Sequence, residues 1–143
     1  MAYRFLEDIG TADIAFEATG RDLAELFRYA ADATTNVMIE NLDALEPRET
    51  RRLELSNDQL DMLLFDLLQE LIYLKDSERL LLRIRNVQIH EGNGRFFLQA
   101  TAEGEPIDPQ RHHQRADVKA VTLHDFTVER ENGGWKARVL LDI

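Results

Sequence analysis

Cysteine is absent from the 143 residues of the sequence. Its absence excludes disulfide bonds, iron–sulfur clusters, thiolate zinc sites and cysteine nucleophiles. Long apolar runs are also absent, because no segment approaches the roughly 20 residues that a membrane-spanning helix requires. The first residues include Arg4, Glu7 and Asp8 and do not resemble a secretory signal peptide. We therefore expect a soluble, cytoplasmic protein.

Basic residues are scarce: 17 Lys and Arg residues stand against 27 Asp and Glu residues, which gives a formal net charge of −10. Direct binding to nucleic acid by phosphate neutralisation needs a basic face, so we do not expect it. The charge is compatible with binding to a basic protein that itself handles nucleic acid. The length predicts a single domain that spans residues 1–143.

The most apolar periodic segment covers residues 56–75. Ser56 is followed three residues later by Gln59, a spacing that predicts a capping box at the start of a helix. Leucines then recur at steps of three and four residues, which is typical of a helix that is buried on most sides. We interpret these leucines as core residues. Only a narrow polar strip remains for function: Asp66, Gln69, Glu70 and Tyr73.

Around this helix the sequence predicts one further helix and a series of short strands. Asp22 is placed to cap a helix that runs from about Leu23 to Met38. A change of parity near Arg85 and Asn86 predicts a β-bulge. Apolar alternation predicts strands at residues 3–6, 13–18, 50–55, 80–90, 95–102, 118–123, 125–130 and 135–141. Asn93-Gly94 and Asn132-Gly133 are turn signals, and the first of them predicts a hairpin. The predicted fold is α+β, with two helices packed in two layers on a mainly antiparallel β-sheet.

The common catalytic motifs are missing. The sequence has no Gly-rich phosphate loop, no GxSxG and no pair of histidines at helical spacing. His112 and His113 are adjacent, so on a strand their side chains would point to opposite faces and could not chelate one ion. We interpret residues 104–115, which contain both histidines, as a solvated loop with local positive charge.

Carboxylates are the remaining candidates for chemistry. The chain ends in Asp142 and Ile143, which places a side-chain carboxylate and the terminal carboxylate close together. If Asp13 lies on a neighbouring strand, three oxygen ligands converge in a set that suits Ca²⁺, Mg²⁺ or Mn²⁺ rather than zinc. The alternative is that these are unrelated surface acids, because most aspartates are exposed.

Four stretches resemble the archease family, and they follow the order of the family along almost the whole chain. They are TADIAF at residues 11–16, LLFDLLQEL at 63–71, DVKAVTLH at 117–124 and KARVLLDI at 136–143. The resemblance implies an α+β fold and a divalent-cation site formed by Asp13, Asp142 and the terminal carboxylate of Ile143. It also implies functional, partner-facing roles for Lys119 and His124.

The chain departs from the family pattern just before Thr11. Many members read acid-His-Thr-Ala-Asp, whereas here Ile9 and Gly10 precede Thr11 and the histidine is missing. Asp8 could take the place of the upstream acid. The departure leaves Asp13 itself in the matching position.

The resemblance also implies a function. Archeases act as protein cofactors of RtcB-type tRNA-splicing ligases, which use GTP and Mn²⁺ to guanylylate an active-site histidine and then join RNA ends. We therefore expect a non-enzymatic, metal-binding activator that promotes guanylylation and multiple turnover of such a ligase. Two alternatives remain: a small metal-dependent hydrolase that uses the same carboxylates, and a general chaperone or modulator of another enzyme.

Overall fold

The computed structural model describes residues 2–6 and 13–143 of the chain. The upstream part of the TADIAF stretch, Thr11 and Ala12, lies outside the described residues, and so does Asp8. Asp13 and the other three family-like stretches lie within them.

Helix α1 (Leu23–Met38) begins and ends where the sequence predicts. The side chain of Asp22 accepts a hydrogen bond from the N–H of Glu25, which satisfies one of the free donors of the first turn. Apolar side chains recur along one face, and Leu26 and Phe27 are completely buried. The predicted amphipathic helix is therefore confirmed.

Helix α2 (Leu60–Glu78) begins and ends later than the sequence predicts. The predicted capping box is wrong, because Ser56 still belongs to strand β3 (Glu49–Asn57). The residue before the helix, Gln59, makes no side-chain cap, and its N–H donates to Asn57 Oδ1 instead. Strand pairing that continues beyond Ser56 thus overrides the local capping pattern.

The described residues contain seven strands in all. In chain order they are β1 (Tyr3–Leu6), β2 (Asp13–Gly20), β3 (Glu49–Asn57), β4 (Leu80–Gly92), β5 (Arg95–Pro106), β6 (Ala120–Glu131) and β7 (Gly134–Asp142). They form two antiparallel sheets, one in the order β1-β2-β7-β6 and one in the order β3-β5-β4. A short 3₁₀ helix at Leu42–Ala44 lies between α1 and β3. The α+β class is confirmed, with its strands divided between two sheets instead of one.

The two Asn-Gly turns of the hairpins have the geometry that their sequence predicts. Asn93 and Gly94 join β4 to β5 with φ angles of 54° and 75°. Asn132 and Gly133 join β6 to β7 with φ angles of 51° and 79°. Positive φ at both central residues is the mark of a type I′ turn, which matches the twist of the flanking strands.

Two ladders contain irregular pairing. The register of β4 against β5 shifts between Ile84 and Asn86, which confirms the predicted bulge. The register of β6 against β7 shifts between Thr122 and Thr127. Asp125, with a φ of 53°, lies in this second irregularity. The strands predicted at residues 118–123 and 125–130 are a single strand, β6.

The core lies around the helix pair, because each helix contacts both sheets. Helix α1 packs against β2 and β4, and helix α2 packs against β6, β4 and β3. Phe16, Phe27 and Leu64 are completely buried in this core. Neither helix of the described chain combines the length and the apolar character needed to cross a membrane.

Gly104, in β5, lies against the backbone of β4. A Cβ atom at this position would be 1.7 Å from the carbonyl oxygen of Leu81. We predict that Gly104→Ala lowers the free energy of unfolding by about 3 kcal/mol or more. Overpacking of a core typically costs about 1–3 kcal/mol, and here the added atom would meet rigid backbone. Gly92→Ala is the matched control, because a Cβ there meets nothing within 4 Å and should change stability by about 0.5 kcal/mol at most. Urea unfolding checks the prediction, and equal stabilities of the two variants would contradict it.

Candidate functional site

Two aspartates face each other at one end of the four-stranded sheet. Asp13 is the first residue of β2 and Asp142 is the last residue of β7, and the two are direct partners in the antiparallel ladder. Residues paired in this way have Cα atoms about 4.5–5.5 Å apart and side chains on the same face of the sheet. Both aspartates are partly buried. The structure therefore brings these two predicted site residues together.

The two carboxylates have no compensating charge among the described residues. Within that part of the chain, neither Asp13 nor Asp142 forms a side-chain hydrogen bond or an ion pair. Like charges on directly opposed residues destabilise a sheet by about 0.2–1 kcal/mol, and a cation between them would remove this repulsion. No group of three His, Cys, Asp or Glu side chains that could hold a metal ion occurs in the described residues, so the aspartates form only a pair.

Ile143, the third predicted ligand through its terminal carboxylate, directly follows Asp142. Its side chain is partly buried and packs against the hydrophobic core. This packing holds the end of the main chain beside Asp142. The side-chain donors of the aspartate pair are carboxylate oxygens, which hard divalent cations prefer.

Lys119 is held next to the aspartate pair through its backbone. Its N–H donates to the carbonyl oxygen of Asp142 at 2.8 Å. The next residue, Ala120, is the ladder partner of Asp142. The side chain of Lys119 is exposed and forms no ion pair with any described residue. A cationic side chain without an ion pair to a described residue therefore starts immediately before β6, at a residue whose backbone is bonded to Asp142.

Lys75, in the last turn of α2, is a residue of this region that the sequence pattern did not identify. Its Nζ lies 2.6 Å from Asp117 Oδ1, 2.7 Å from the carbonyl oxygen of Val118 and 2.6 Å from Asp76 Oδ1. Burial by itself lowers the pKa of Lys75, but the hydrogen bonds to the two aspartates outweigh it and raise the pKa above its usual value. Lys75 thus fixes the two residues that precede Lys119.

The polar strip predicted on α2 contributes structural contacts. Gln69 Oε1 accepts a hydrogen bond from the N–H of Val121 at 2.8 Å and so covers a donor on the edge strand β6. Asp66 Oδ2 accepts a hydrogen bond from the Asn57 side chain at 3.0 Å. Tyr73 is 60% exposed. Two of the four residues of the strip, Asp66 and Gln69, therefore join the helix to the two sheets.

His124 lies apart from the aspartate pair. It follows Ala120 along β6 by four residues, which is roughly 13 Å at the rise of a strand. It is exposed, and its Nε2 lies 3.4 Å from Asp125 Oδ2. The structure therefore does not bring His124 together with Asp13 and Asp142.

The sequence model of the Archease protein family (MTH1598/TM1083) matches residues 3–143. The chain belongs to the archease family. Protein archease of Pyrococcus abyssi is 36% identical over 134 residues, which cover 93% of this chain and 94% of the relative. Protein archease of Methanothermobacter thermautotrophicus is 41% identical, over 93% of this chain and 94% of the relative.

Two solved structures have the same fold. The solution structure of protein 1598 from Methanobacterium thermoautotrophicum has a TM-score of 0.85 and 38% identity, and the match covers 99% of both chains. The crystal structure of an archease from Thermotoga maritima, described as a possible chaperone, has a TM-score of 0.59 and 20% identity over 98% of both chains, a likeness that shows the fold alone. Membership of the archease family is consistent with a protein that assists another protein rather than with an enzyme.

A second charged cluster of this archease lies at the end of β5. Glu105 is 2% exposed, and its carboxylate binds Arg111 and lies 3.0 Å from His112 Nε2. The N–H of Asp108 donates to His112 Nδ1 at 2.9 Å, so Nε2 carries the proton and donates to Glu105. The prediction of a solvated loop is therefore wrong at Arg111 and His112, because both side chains bind the buried carboxylate of Glu105.

The same segment continues along the C-terminal end of α1. The N–H groups of Arg115 and Ala116 donate to the last carbonyl groups of the helix at 2.9 and 3.1 Å. These carbonyls have no donor within the helix, so the segment caps it. The connection from β5 to Lys119 is fixed first at Glu105, then at α1 and finally at Lys75.

The buried carboxylate of Glu105 is expected to make stability depend on pH. Burial by itself raises the pKa of Glu105, but hydrogen bonds from Arg111, from the N–H of Glu46 and from His112 outweigh it and lower the pKa to about 2. A carboxylate with a lowered folded pKa stabilises the protein above its unfolded pKa, and this contribution is lost as the pH falls through the folded pKa. We predict that Glu105→Gln is less stable than the wild type at neutral pH, and that this difference shrinks between pH 4.5 and pH 2.

Urea unfolding of both proteins over a series of pH values measures this difference. A gap in the free energy of unfolding that stays constant down to pH 2 would contradict the role given to Glu105.

Proposed function

We propose that this protein is a non-enzymatic, metal-binding cofactor that activates an RtcB-type RNA ligase. It promotes the GTP-dependent guanylylation of the ligase and its multiple turnover, in tRNA splicing or RNA repair. The observation that supports this proposal most directly is the uncompensated pair of Asp13 and Asp142, at positions that match the motifs of the archease family. The family resemblance suggests an RtcB-type ligase as the partner, and the aspartate pair suggests that the protein binds a divalent cation.

The aspartate pair fits a hard divalent cation such as Ca²⁺, Mn²⁺ or Mg²⁺. Asp13, Asp142 and the terminal carboxylate of Ile143 would hold the ion, and all of them offer oxygen atoms. Ca²⁺ takes about 6–8 oxygen ligands, so three carboxylates leave part of the coordination shell to water or to a partner. An incomplete protein shell suits an ion that is exchanged with another protein.

The charge of the whole chain favours a basic partner. A net charge of −10 attracts a protein that binds RNA through a basic surface, and it raises the rate of their association. Lys119, which is exposed beside the pair, would balance the two carboxylates when the ion leaves. His124 is exposed farther along β6, and we assign it a partner-facing role away from the ion.

The hydrolase alternative gains no support from the described residues. Metal-assisted hydrolysis commonly uses a side chain that takes a proton from the attacking water. His112 is buried with both ring nitrogens hydrogen-bonded, so it is not available for this role. His124 lies several residues away from the pair along its strand. An activator that carries an ion needs no such base.

The first functional prediction concerns the ion. Asp13→Ala and Asp142→Ala should each weaken Ca²⁺ or Mn²⁺ binding by more than the roughly 10–100-fold that loss of an outer-shell partner costs. Each variant should fold, and the ion-free variants should be more stable by about 0.2–1 kcal/mol because a like-charge contact is removed. Calorimetric titration measures the affinity. Asp58→Ala, which removes an exposed aspartate from another surface, is the matched control. Unchanged affinity in either site variant would remove that residue from the site.

The second functional prediction separates Lys119 from the ion. Lys119→Ala should reduce stimulation of the ligase on the order of tenfold, whereas the ion affinity should change little because an ammonium group cannot ligate a cation. Single-turnover guanylylation of the ligase is the measurement. Lys136→Ala is the control, because Lys136 lies in β7 of the same sheet but pairs with Glu131 at 3.2 Å. Full stimulation by Lys119→Ala would make this lysine an ordinary surface residue.

A further inference from the structure

Lys75 satisfies all three hydrogens of its ammonium group within the protein. The acceptors are Asp117 Oδ1, the carbonyl oxygen of Val118 and Asp76 Oδ1, at 2.6, 2.7 and 2.6 Å. An ammonium group has three donors and no acceptor, so this set is complete. The lysine also lies in the last turn of α2, where the helix dipole favours a positive charge.

The contact of Lys75 lies immediately before strand β6 and next to the aspartate pair. Residues 117–119 connect the segment that caps α1 to strand β6, which begins at Ala120. This connection reaches the aspartate pair through the hydrogen bond from Lys119 N–H to the carbonyl oxygen of Asp142. Lys75 binds the two residues immediately before Lys119. One side chain of α2 therefore contacts the connection immediately before the point at which β6 joins the ladder beside Asp142.

Packing alone does not require a lysine at this position. A buried ammonium group loses its hydration, and only complete pairing offsets that cost. The side chain of Lys75 is 7% exposed, whereas that of Asp117 is 73% exposed. This contact is therefore largely exposed to solvent on the Asp117 side. Its effect is to select one position of the connection, because the Asp117 carboxylate and the Val118 carbonyl must both lie within reach of one ammonium group.

We propose that Lys75 is a positioning residue for the connection next to the aspartate pair: it holds residues 117–119 so that the Lys119 N–H stays bonded to the carbonyl oxygen of Asp142 and β6 joins the ladder beside Asp142. The consequence for ion binding and ligase activation rests on the proposed function. The consequence for the backbone does not, and it can be measured on the protein alone.

The test is Lys75→Met, which keeps the apolar stem and removes the three donors. The matched control is Arg83→Met, which removes an ion pair of 3.0 Å between β4 and Asp32 of α1, away from the aspartate pair. Amide hydrogen exchange of Lys119 reports the bond to Asp142, and exchange of Leu67, at the centre of α2, reports global unfolding. Titration with Ca²⁺ and single-turnover guanylylation of the ligase complete the set.

Lys75→Met should accelerate exchange of the Lys119 amide on the order of tenfold relative to that of Leu67. It should also weaken both Ca²⁺ binding and ligase stimulation, whereas Lys119→Ala weakens stimulation alone. Arg83→Met should change the exchange of Leu67 and leave the Lys119-to-Leu67 ratio and the Ca²⁺ affinity unchanged. An unchanged ratio in Lys75→Met would overturn the inference, even if the protein proves to be a ligase activator.

Asp117→Ala provides a second variant should Lys75→Met fail to fold. The Asp117 side chain is largely exposed, so its removal should leave the fold intact while it takes away one acceptor of the ammonium group. The Lys119 amide should exchange faster relative to Leu67 in this variant too. If it does not, Lys75 has no positioning role. If it does, but the wild type neither binds an ion nor stimulates a ligase, the inference about the backbone stands and the proposed function fails.

Discussion

The register between β2 and β7 is the constraint on which the candidate site depends. In this ladder Phe16 is opposite Val139 and Ala18 is opposite Ala137, and all four are completely buried. Burying a large apolar side chain contributes about 1.5–3 kcal/mol, whereas two opposed like charges cost about 0.2–1 kcal/mol. A slip of one residue would turn the buried side chains towards solvent. The core therefore fixes the register, and the repulsion between Asp13 and Asp142 is too weak to change it.

Local patterns predicted much of the secondary structure, and they failed where pairing between distant segments decides the outcome. Helix α1 and the Asn-Gly turns follow from interactions within a few residues, so their prediction was confirmed. Ser56 carries an equally good local capping signal, but it is paired in β3, and the strand prevails. No local pattern contains the pairing of β2 with β7 or the division into two sheets, because those depend on segments far apart in sequence.

Some residues of the candidate site could be predicted from the sequence, and others depend on contacts between distant segments. Asp13 and Asp142 could be predicted because acids at the ends of two strands, in family-like motifs, are visible in the sequence. Lys75 could not, because a lysine in the last turn of a helix is usually solvated and its burial here depends on the path of residues 117–119. His112 looked like part of a solvated loop for a similar reason, since the buried carboxylate of Glu105 that binds it becomes apparent only in three dimensions.

Lys75 and Lys119 differ in whether their ammonium groups are held by other residues. All three donors of Lys75 are occupied by oxygen atoms, so its ammonium group cannot move to the carboxylates without leaving a carboxylate and a carbonyl unpaired. Lys119 makes no ion pair with a described residue, and only its backbone is held. The ammonium group of Lys75 is therefore fixed against the connection, whereas that of Lys119 is exposed and only its backbone is bonded to Asp142. In the proposed function, that difference would let the aspartate pair take up and release a divalent ion while the sheet that carries it stays in place.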